Sequence, residues 1–331
     1  MQTTPRVSII VRTKNRPLFL KRALLDISAQ IFSDVEILLV NDGGDPHEVD
    51  RIVELSPWKK RTTVIHNESS LGMENASNLA ISRAQGEFIC IHDDDDTWHA
   101  RFLHACVEHL DEHPKDAAVG VRTEIIWERL EKDQIITEGR EIAWPEIRAI
   151  TFNALLRQNQ AVPISCLYRA SIIEQLGGFR ADLPVVGDWD FHLRLARYHN
   201  FAFIDGMPLA FWHQRKGQTG VAGNSVIAMS GAHAYYDALV RREYLGDELS
   251  DNQVGQLLVQ GAEFQFLRSE LAMQMHLVRE LSAQVTSLHT KLDEQSAHFN
   301  EQNNWLLHKA DNASLYAVLR RLAKKLLRKG S

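Results

Sequence analysis

The chain of 331 residues has only three cysteines, Cys90, Cys106 and Cys166, widely spaced and without a Cys-x-x-Cys pair. A disulfide framework and a cysteine zinc site are therefore not expected, and a reducing cytosol is the expected setting. Cys166, beside Ser165 and Tyr168 with no histidine pairing indicated, reads as core rather than nucleophile. No stretch approaches the ~20 apolar residues that a membrane span needs. The opening Met1-Gln2-Thr3-Thr4-Pro5 lacks a charged segment followed by an apolar one, so neither a spanning helix nor export by a signal peptide is expected. Tandem repeats and low-complexity tracts are missing. Glycine is absent from Arg12-Thr13-Lys14-Asn15-Arg16-Pro17, which argues against the glycine-rich, lysine-bearing phosphate loop of another class of nucleotide enzyme, such as a nucleotidyltransferase. Proline is absent after residue 223.

What is present is globular in character. The hydrophobic fraction is 44% and the charged fraction 24%, enough to build a sizeable core over about two domains. The formal charge of -6 hides an asymmetry. Arg320, Arg321, Lys324, Lys325, Arg328 and Lys329 crowd the end, leaving 31 basic against 43 acidic side chains in residues 1–319. An acidic body argues against nucleic acid as a partner, and a basic tail suggests an anionic membrane or an acidic protein.

Short apolar runs at Val7–Val11, Val35–Val40, Thr62–Ile65 and Glu87–Ile91 alternate with helix-length segments near 18–29, 46–55 and 73–84. That spacing predicts an α/β fold with strands wrapped by helices. Ligands of open α/β sheets bind beyond the strand C-termini. Three such ends are polar: Thr13, Asn15 and Arg16; Asn41-Asp42-Gly43-Gly44; and His92 followed by Asp93-Asp94-Asp95-Asp96. Four adjacent carboxylates repel one another, and a divalent cation, Mn2+ or Mg2+, relieves that cost through hard oxygen ligands. The alternative is that Asp95 or Asp96 caps a helix starting near Trp98. His109 and His113, four apart on a predicted helix, have no third ligand spaced to join them and read as a solvated face. Segment 118–222, with Trp127, Trp144, Trp189 and Trp212, completes the domain.

The order Val7-Ser8-Ile9-Ile10-Val11 with Thr13-x-Asn15-Arg16-Pro17, Val40-Asn41-Asp42-Gly43-Gly44, Asn67 to Asn78, Gly86–Ile89 running into Asp93–Asp96, then Gly177-Gly178-Phe179-Arg180 and Gly187-Asp188-Trp189-Asp190, resembles the family-two inverting glycosyltransferases of GT-A fold. The resemblance covers about residues 5–215 and implies a GT-A, Rossmann-like mixed sheet. It implies a metal-dependent, hexosyltransferase-type enzyme that moves sugar from a nucleotide diphosphate sugar to a hydroxyl of a glycan or lipid-linked acceptor, in bacterial surface polysaccharide biosynthesis. It further implies that Thr13, Asn15 and Arg16 line the nucleotide pocket and that Asp42 accepts a hydrogen bond from the base. Asp93 and Asp95 would form the DxD motif, Asp95 as metal ligand and Asp93 near the ribose or metal. Asp188 would be the catalytic base, with Asp190 its rival; read structurally, Asp188 caps a helix beginning at Trp189. His213 and Arg215 resemble the late loop that folds over the diphosphate, His213 being a further candidate metal ligand. Two positions depart from the family's pattern. The acid that usually precedes the base is Gly187, and the arginine usual before the second asparagine is Ser77. The first supports an alternative, a catalytically silent GT-A scaffold that organises a polysaccharide-assembly complex.

Beyond a domain expected at 1–222 and a helical linker at 223–250, heptads run through 251–308. Leu257, Phe264, Leu271, Val278, Val285, Leu292 and Phe299 hold one seam position and Leu267, Leu281 and Leu288 the other, with Gln260, Gln274 and Gln295 as interruptions. This pattern predicts a coiled coil and a homo-oligomer. In 312–331, Leu315, Val318, Leu319, Leu322 and Leu326 form a stripe flanked by the basic cluster, an amphipathic helix suited to a membrane interface or an acidic partner helix. The expected location is cytoplasmic, peripheral at the inner face of the cell membrane.

Overall fold

The computed structural model describes residues 4–132, 134–216, 223, 230–246 and 250–327. Two compact units follow one another, Met1–Leu245 and Gly246–Ser331.

In the first unit the apolar runs become strands β1 (Val7–Thr13), β2 (Val35–Asp42), β3 (Thr62–Asn67) and β4 (Phe88–Asp93). The period of two in an extended chain decides which face each residue serves. Val7, Ile9 and Val11 pack with α1 (Pro17–Ser28), α2 (Pro46–Glu54) and α4 (Phe102–Glu112), whereas Ile10 packs on the other face with α3 (Met73–Ile81) and α7 (Gly187–Tyr198). Both faces are covered, so the strands are apolar throughout until their C-terminal ends. Local chemistry starts the helices. Pro17 and Pro46 occupy first-turn positions, where a missing N–H costs nothing, and Asp45 accepts from the His47 N–H at 2.9 Å.

The main sheet has seven strands in the order β10-β6-β9-β4-β1-β2-β3, where β6 is Asp116–Val121, β9 is Cys166–Arg169 and β10 is Asn200–Ile204. β9 runs antiparallel to both neighbours and the other pairs are parallel. A second sheet, β5-β11-β7-β8, is built from Thr97–Trp98, Ala210–Gln214, Thr123–Glu131 and Gln134–Ile142. α5 (Phe152–Leu155) and α6 (Ala170–Leu176) complete the irregular half.

Three expectations change here. The Asp95/Asp96 cap is not formed: residues 97–98 are strand β5, and α4 begins at Phe102 with Arg101 at its N-cap position and no side-chain cap bond. His213 lies on β11, not on a loop. Segment 223–250 supplies a helix that packs on the body, α8 (Ser230–Leu245), where Val240 is fully buried and the Arg241 guanidinium donates to the Leu156 carbonyl at 2.6 Å. Residue 222, the expected end of the domain, lies outside the described residues.

In the second unit, α9 (Asp251–Leu327) is one helix of 77 residues, about 115 Å at 1.5 Å per residue. The heptad seam residues are 40–66% exposed. Arg320, Arg321, Lys324 and Lys325 lie on this helix, whereas the side chain of Leu326, and Arg328 and Lys329 altogether, lie outside the described residues. No helix among the described residues is long and apolar enough to cross a membrane.

Candidate active site

The parallel register sets the polar strand ends side by side: Thr13 is level with Asn41, Asp42 with Asn67, and Arg12 with Asp93. Asp42 then organises the loop that follows β3. Its carboxylate accepts from Asn67 Nδ2 at 2.9 Å, Ser70 Oγ at 2.6 Å, and the Leu71 and Gly72 N–H groups at 2.8 and 3.1 Å. Burial works to raise its pKa, but these four donors outweigh it and hold the group below the usual range. Asn15, the residue expected beside it in the nucleotide pocket, is exposed, has a left-handed φ of 53° and accepts from the Asp45 N–H at 3.0 Å.

Asp93–Asp96 form a turn closed by the Asp96 N–H to the Asp93 carbonyl at 3.2 Å. The repulsion within this run is relieved by guanidinium groups from elsewhere in the fold. Arg12 holds Asp93 through its Nε at 2.9 Å; Arg16 reaches Asp94 at 2.8 Å and Asp95 at 2.6 Å; Arg215, fully buried, pairs with Asp95 and with Glu128. Thr13 Oγ donates to Asp94 at 2.7 Å. Burial alone would raise Asp95, yet Arg16 and Arg215 keep its pKa below normal and the group ionised, while burial lifts Asp94 despite Arg16. Arginine thus meets that cost for Asp95, whereas Asp96 is still pushed well above its usual range by burial and by the neighbouring Asp95 and Asp93. A cation remains chemically suited to this run, because hard carboxylate oxygens are the ligands Mg2+ and Mn2+ take, often only one or two with substrate phosphate filling the rest.

His213, the further candidate ligand, is tied to the acidic run through its backbone N–H, which donates to Asp96 Oδ1 at 2.8 Å. Its Nε2 is 2.8 Å from Thr97 Oγ and its Nδ1 is 2.8 Å from Glu128, whose own pKa, raised by burial, is brought down to about 2 by His213 and Arg22. Among the described residues, the group of three acidic, histidine or cysteine side chains whose ligand atoms lie within 4.8 Å of one another is instead His109, His113 and Asp116. Asp116, which opens β6, is the third member that sequence spacing did not reveal; it lies 3.0 Å from His109 Nε2, and the two imidazoles stack at 4.3 Å. This group sits at the N-terminal edge of the sheet, away from the strand ends described above.

Asp188 stands in the first turn of α7 rather than capping it. Val186 precedes the helix with φ 61°, a costly conformation for a β-branched residue that the surrounding structure must impose. Asn159 Nδ2 donates to Asp188 Oδ2 at 2.7 Å, and Asn159 Oδ1 is 3.4 Å from His192 Nδ1, whose Nε2 is 2.7 Å from the Tyr168 hydroxyl. A relay of three buried or half-buried groups therefore orients one carboxylate. Burial raises the Asp188 pKa, opposed by the Trp189 N–H and Asn159. Asp190, the rival, points elsewhere: it is buried and paired with Arg194 at 2.8 Å.

Asp93 and Asp188 line one cavity of about 530 Å³, together with Arg12, Glu74, and Trp144 and Trp212, whose rings lie 6.1 Å apart. Thr13, Asn15, Arg16, Asp42 and Asp95 stand outside its lining. The volume is that of a small-molecule site. Asn78 clamps the turn that carries Phe179, donating to the Phe179 carbonyl at 2.7 Å and accepting its N–H at 2.9 Å; Gly178, with φ 73°, leaves room for that amide.

Residues 8–177 match the family described as Glycosyl transferase family 2. The chain belongs to that family. Similar proteins include an uncharacterized glycosyltransferase of Haemophilus influenzae, 28% identical over 129 residues, which are 39% of this chain and 40% of that one. The uncharacterized glycosyltransferase YwdF of Bacillus subtilis is 28% identical over 195 residues, 58% of this chain and 68% of its own. The first relative is thus matched over less than half its length. Among solved structures, residues 1–349 of S. aureus TarS in complex with UDP-GlcNAc superpose with a TM-score of 0.56 at 18% identity, covering 77% of this chain and 71% of that one, a likeness of fold. The family-two chain therefore has the GT-A architecture, and α9 lies beyond the matched segment.

Proposed function

We propose that this protein is an inverting glycosyltransferase that moves a sugar from a nucleotide diphosphate sugar to a hydroxyl of a glycan or lipid-linked acceptor, in bacterial surface polysaccharide biosynthesis. The observation that carries the reading is that Asp188 and Asp93 line one cavity, with Asp188 held by Asn159 and, among the described residues, free of any arginine hydrogen bond. In this reading Asp188 takes the proton from the acceptor hydroxyl as that oxygen attacks the sugar, which inverts the anomeric centre in a single displacement. Asp93 and Asp95 would hold Mn2+ or Mg2+, which when bound supplies Lewis-acid stabilisation of the departing diphosphate. Arg16 and Thr13 keep the acidic turn in place for that role, and Trp144 and Trp212 offer apolar faces to a sugar ring. Asp42 acts through the 67–72 loop it builds, its acceptor positions already engaged.

The exposed heptad seam of α9 supports self-association as a homo-oligomer through 251–308, since soluble monomers rarely leave so long an apolar stripe in water. The basic end supports contact with an anionic membrane surface, which would place the enzyme peripherally beside lipid-linked acceptors. A silent scaffold would share that architecture, so the test is ligand binding: melting temperature measured with UDP, GDP and dTDP, with and without Mn2+. Binding raises the melting temperature of an enzyme by mass action, and a flat response to all three nucleotides contradicts the proposal.

A further inference from the structure

Glu74 projects from the first turn of α3 into the space beside the first residue of α7. A Cβ on Gly187 would stand 2.5 Å from Glu74 Cγ and 2.8 Å from its Cδ, so the glycine is what admits this side chain. The Glu74 carboxylate accepts the Gly187 N–H. Its Oε2 is buried, has no hydrogen-bond partner among the described residues, and lies 3.7 Å from Arg12 Nη1 on the wall of the cavity that holds Asp93 and Asp188. A polar atom of that kind left unpaired in a protein interior is costly, and it calls for a ligand group to complete it. Arg12 meanwhile covers the α3 surface at position 77, donating to Ser77 Oγ at 3.1 Å and to the Met73 carbonyl at 3.1 Å. The carboxyl and guanidinium groups that Gly187 and Ser77 do not provide are therefore present, carried on α3 and β1, with burial pushing the Glu74 pKa up to about 8 against the pull of Arg12.

Resting on the glycosyltransferase reading, we infer that Glu74 binds a hydroxyl of the sugar held in this cavity and positions it between Asp93 and Asp188, and that Gly187 exists to make room for it. The neighbours that set its environment are Arg12 from β1, Asp93 from β4, and the Gly187 N–H and Asp188 from α7. The ligand class follows from the geometry: a neutral, polyhydroxylated ring supplies the hydroxyl that Oε2 lacks, whereas an anion would meet Asp93 and Asp188.

The reciprocal exchange tests this. Donor hydrolysis is measured on the full chain with UDP-N-acetylglucosamine, UDP-glucose, dTDP-glucose and GDP-mannose. Glu74→Ala is expected to lower kcat/KM about thirtyfold, as leaving a buried hydroxyl without its hydrogen-bond partner does, and Glu74→Gln, which keeps a polar group in place, to stay within about threefold of wild type. Gly187→Asp alone clashes with Glu74 and is expected to lose activity and melting temperature. The double variant Glu74→Ala/Gly187→Asp returns a carboxyl group to the same space and is expected to recover about tenfold over Glu74→Ala. Wild-type kcat/KM in Glu74→Ala, or a folded double variant no better than Glu74→Ala, overturns the inference. A wild type that turns over none of the donors overturns the glycosyltransferase reading and the ligand role with it. The packing claim is then judged separately, since an unchanged melting temperature in Gly187→Asp contradicts it.

Discussion

Asp188 does its proposed work only when ionised, and burial holds its pKa above the usual range while Asn159 pulls it back. Removing the donor in Asn159→Ala withdraws support from the charged form, so the Asp188 pKa rises further. The acid limb of the kcat/KM profile is expected to move to higher pH by about one unit, the equivalent of one hydrogen bond; an unmoved limb contradicts the relay. Asp95 raises a different question, because it neutralises Arg16 and the fully buried Arg215. Asp95→Asn should therefore cost about 3 kcal/mol of stability in addition to metal-dependent nucleotide binding, both measurable by denaturant titration with and without UDP and Mn2+. Asp93, Asp95 and Asp188 were legible in the sequence because they abut apolar runs or sit in ordered motifs. Asn159, Glu74 and Asp116 were not, because nothing local marks them: each acquires its meaning from a residue between 7 and 113 positions away.

Among elements, the first four strands and three helices read well because burial on both faces leaves continuous apolar runs punctuated by polar ends. The second half is harder. β9 is four residues long and antiparallel within a mostly parallel sheet, and its partners β4 and β6 lie distant in sequence, so pairing rather than pattern defines it. Acidic residues before a helix suggested a cap at Trp98, but hydrogen bonding of Thr97–Trp98 to β11 drew those residues into a sheet. The packing of β9 on α7 makes its own prediction. Burial lowers the pKa of His192 to about 3, with Arg194 adding to the effect. Between that value and about 6.5 the unfolded chain binds a proton that the folded one does not. Stability should accordingly be full above the unfolded value and fall as pH drops through this window, by up to about 1.4 kcal/mol per unit. His192→Gln should flatten that slope in denaturant midpoints taken from pH 7 to pH 4, and an unchanged slope contradicts the assignment.

At the scale of the whole molecule, a family-two fold is followed by a helix whose apolar seam is exposed from Leu257 to Phe299. Light scattering on the full chain should report an oligomer, and truncation after Gly246 a monomer that still binds nucleotide; a monomeric full-length chain contradicts the coiled-coil proposal. Truncation after Asp311 should release the protein from anionic liposomes without changing oligomer size, in a salt-sensitive way. The long helix α9 was legible because its period needs no tertiary context, whereas the packing of α8 on the body was not, since an apolar stripe on a helix does not say which surface buries it. The central claim is that the cavity bearing Asp188 transfers sugar from a nucleotide donor. Its most direct test is nucleoside diphosphate release from UDP-, GDP- and dTDP-sugars with Mn2+, comparing wild type with Asp188→Asn. The account predicts release from at least one donor and a fall of at least ~10²-fold in the variant with donor binding retained; equal rates in the two proteins, or no release from any donor, would contradict it.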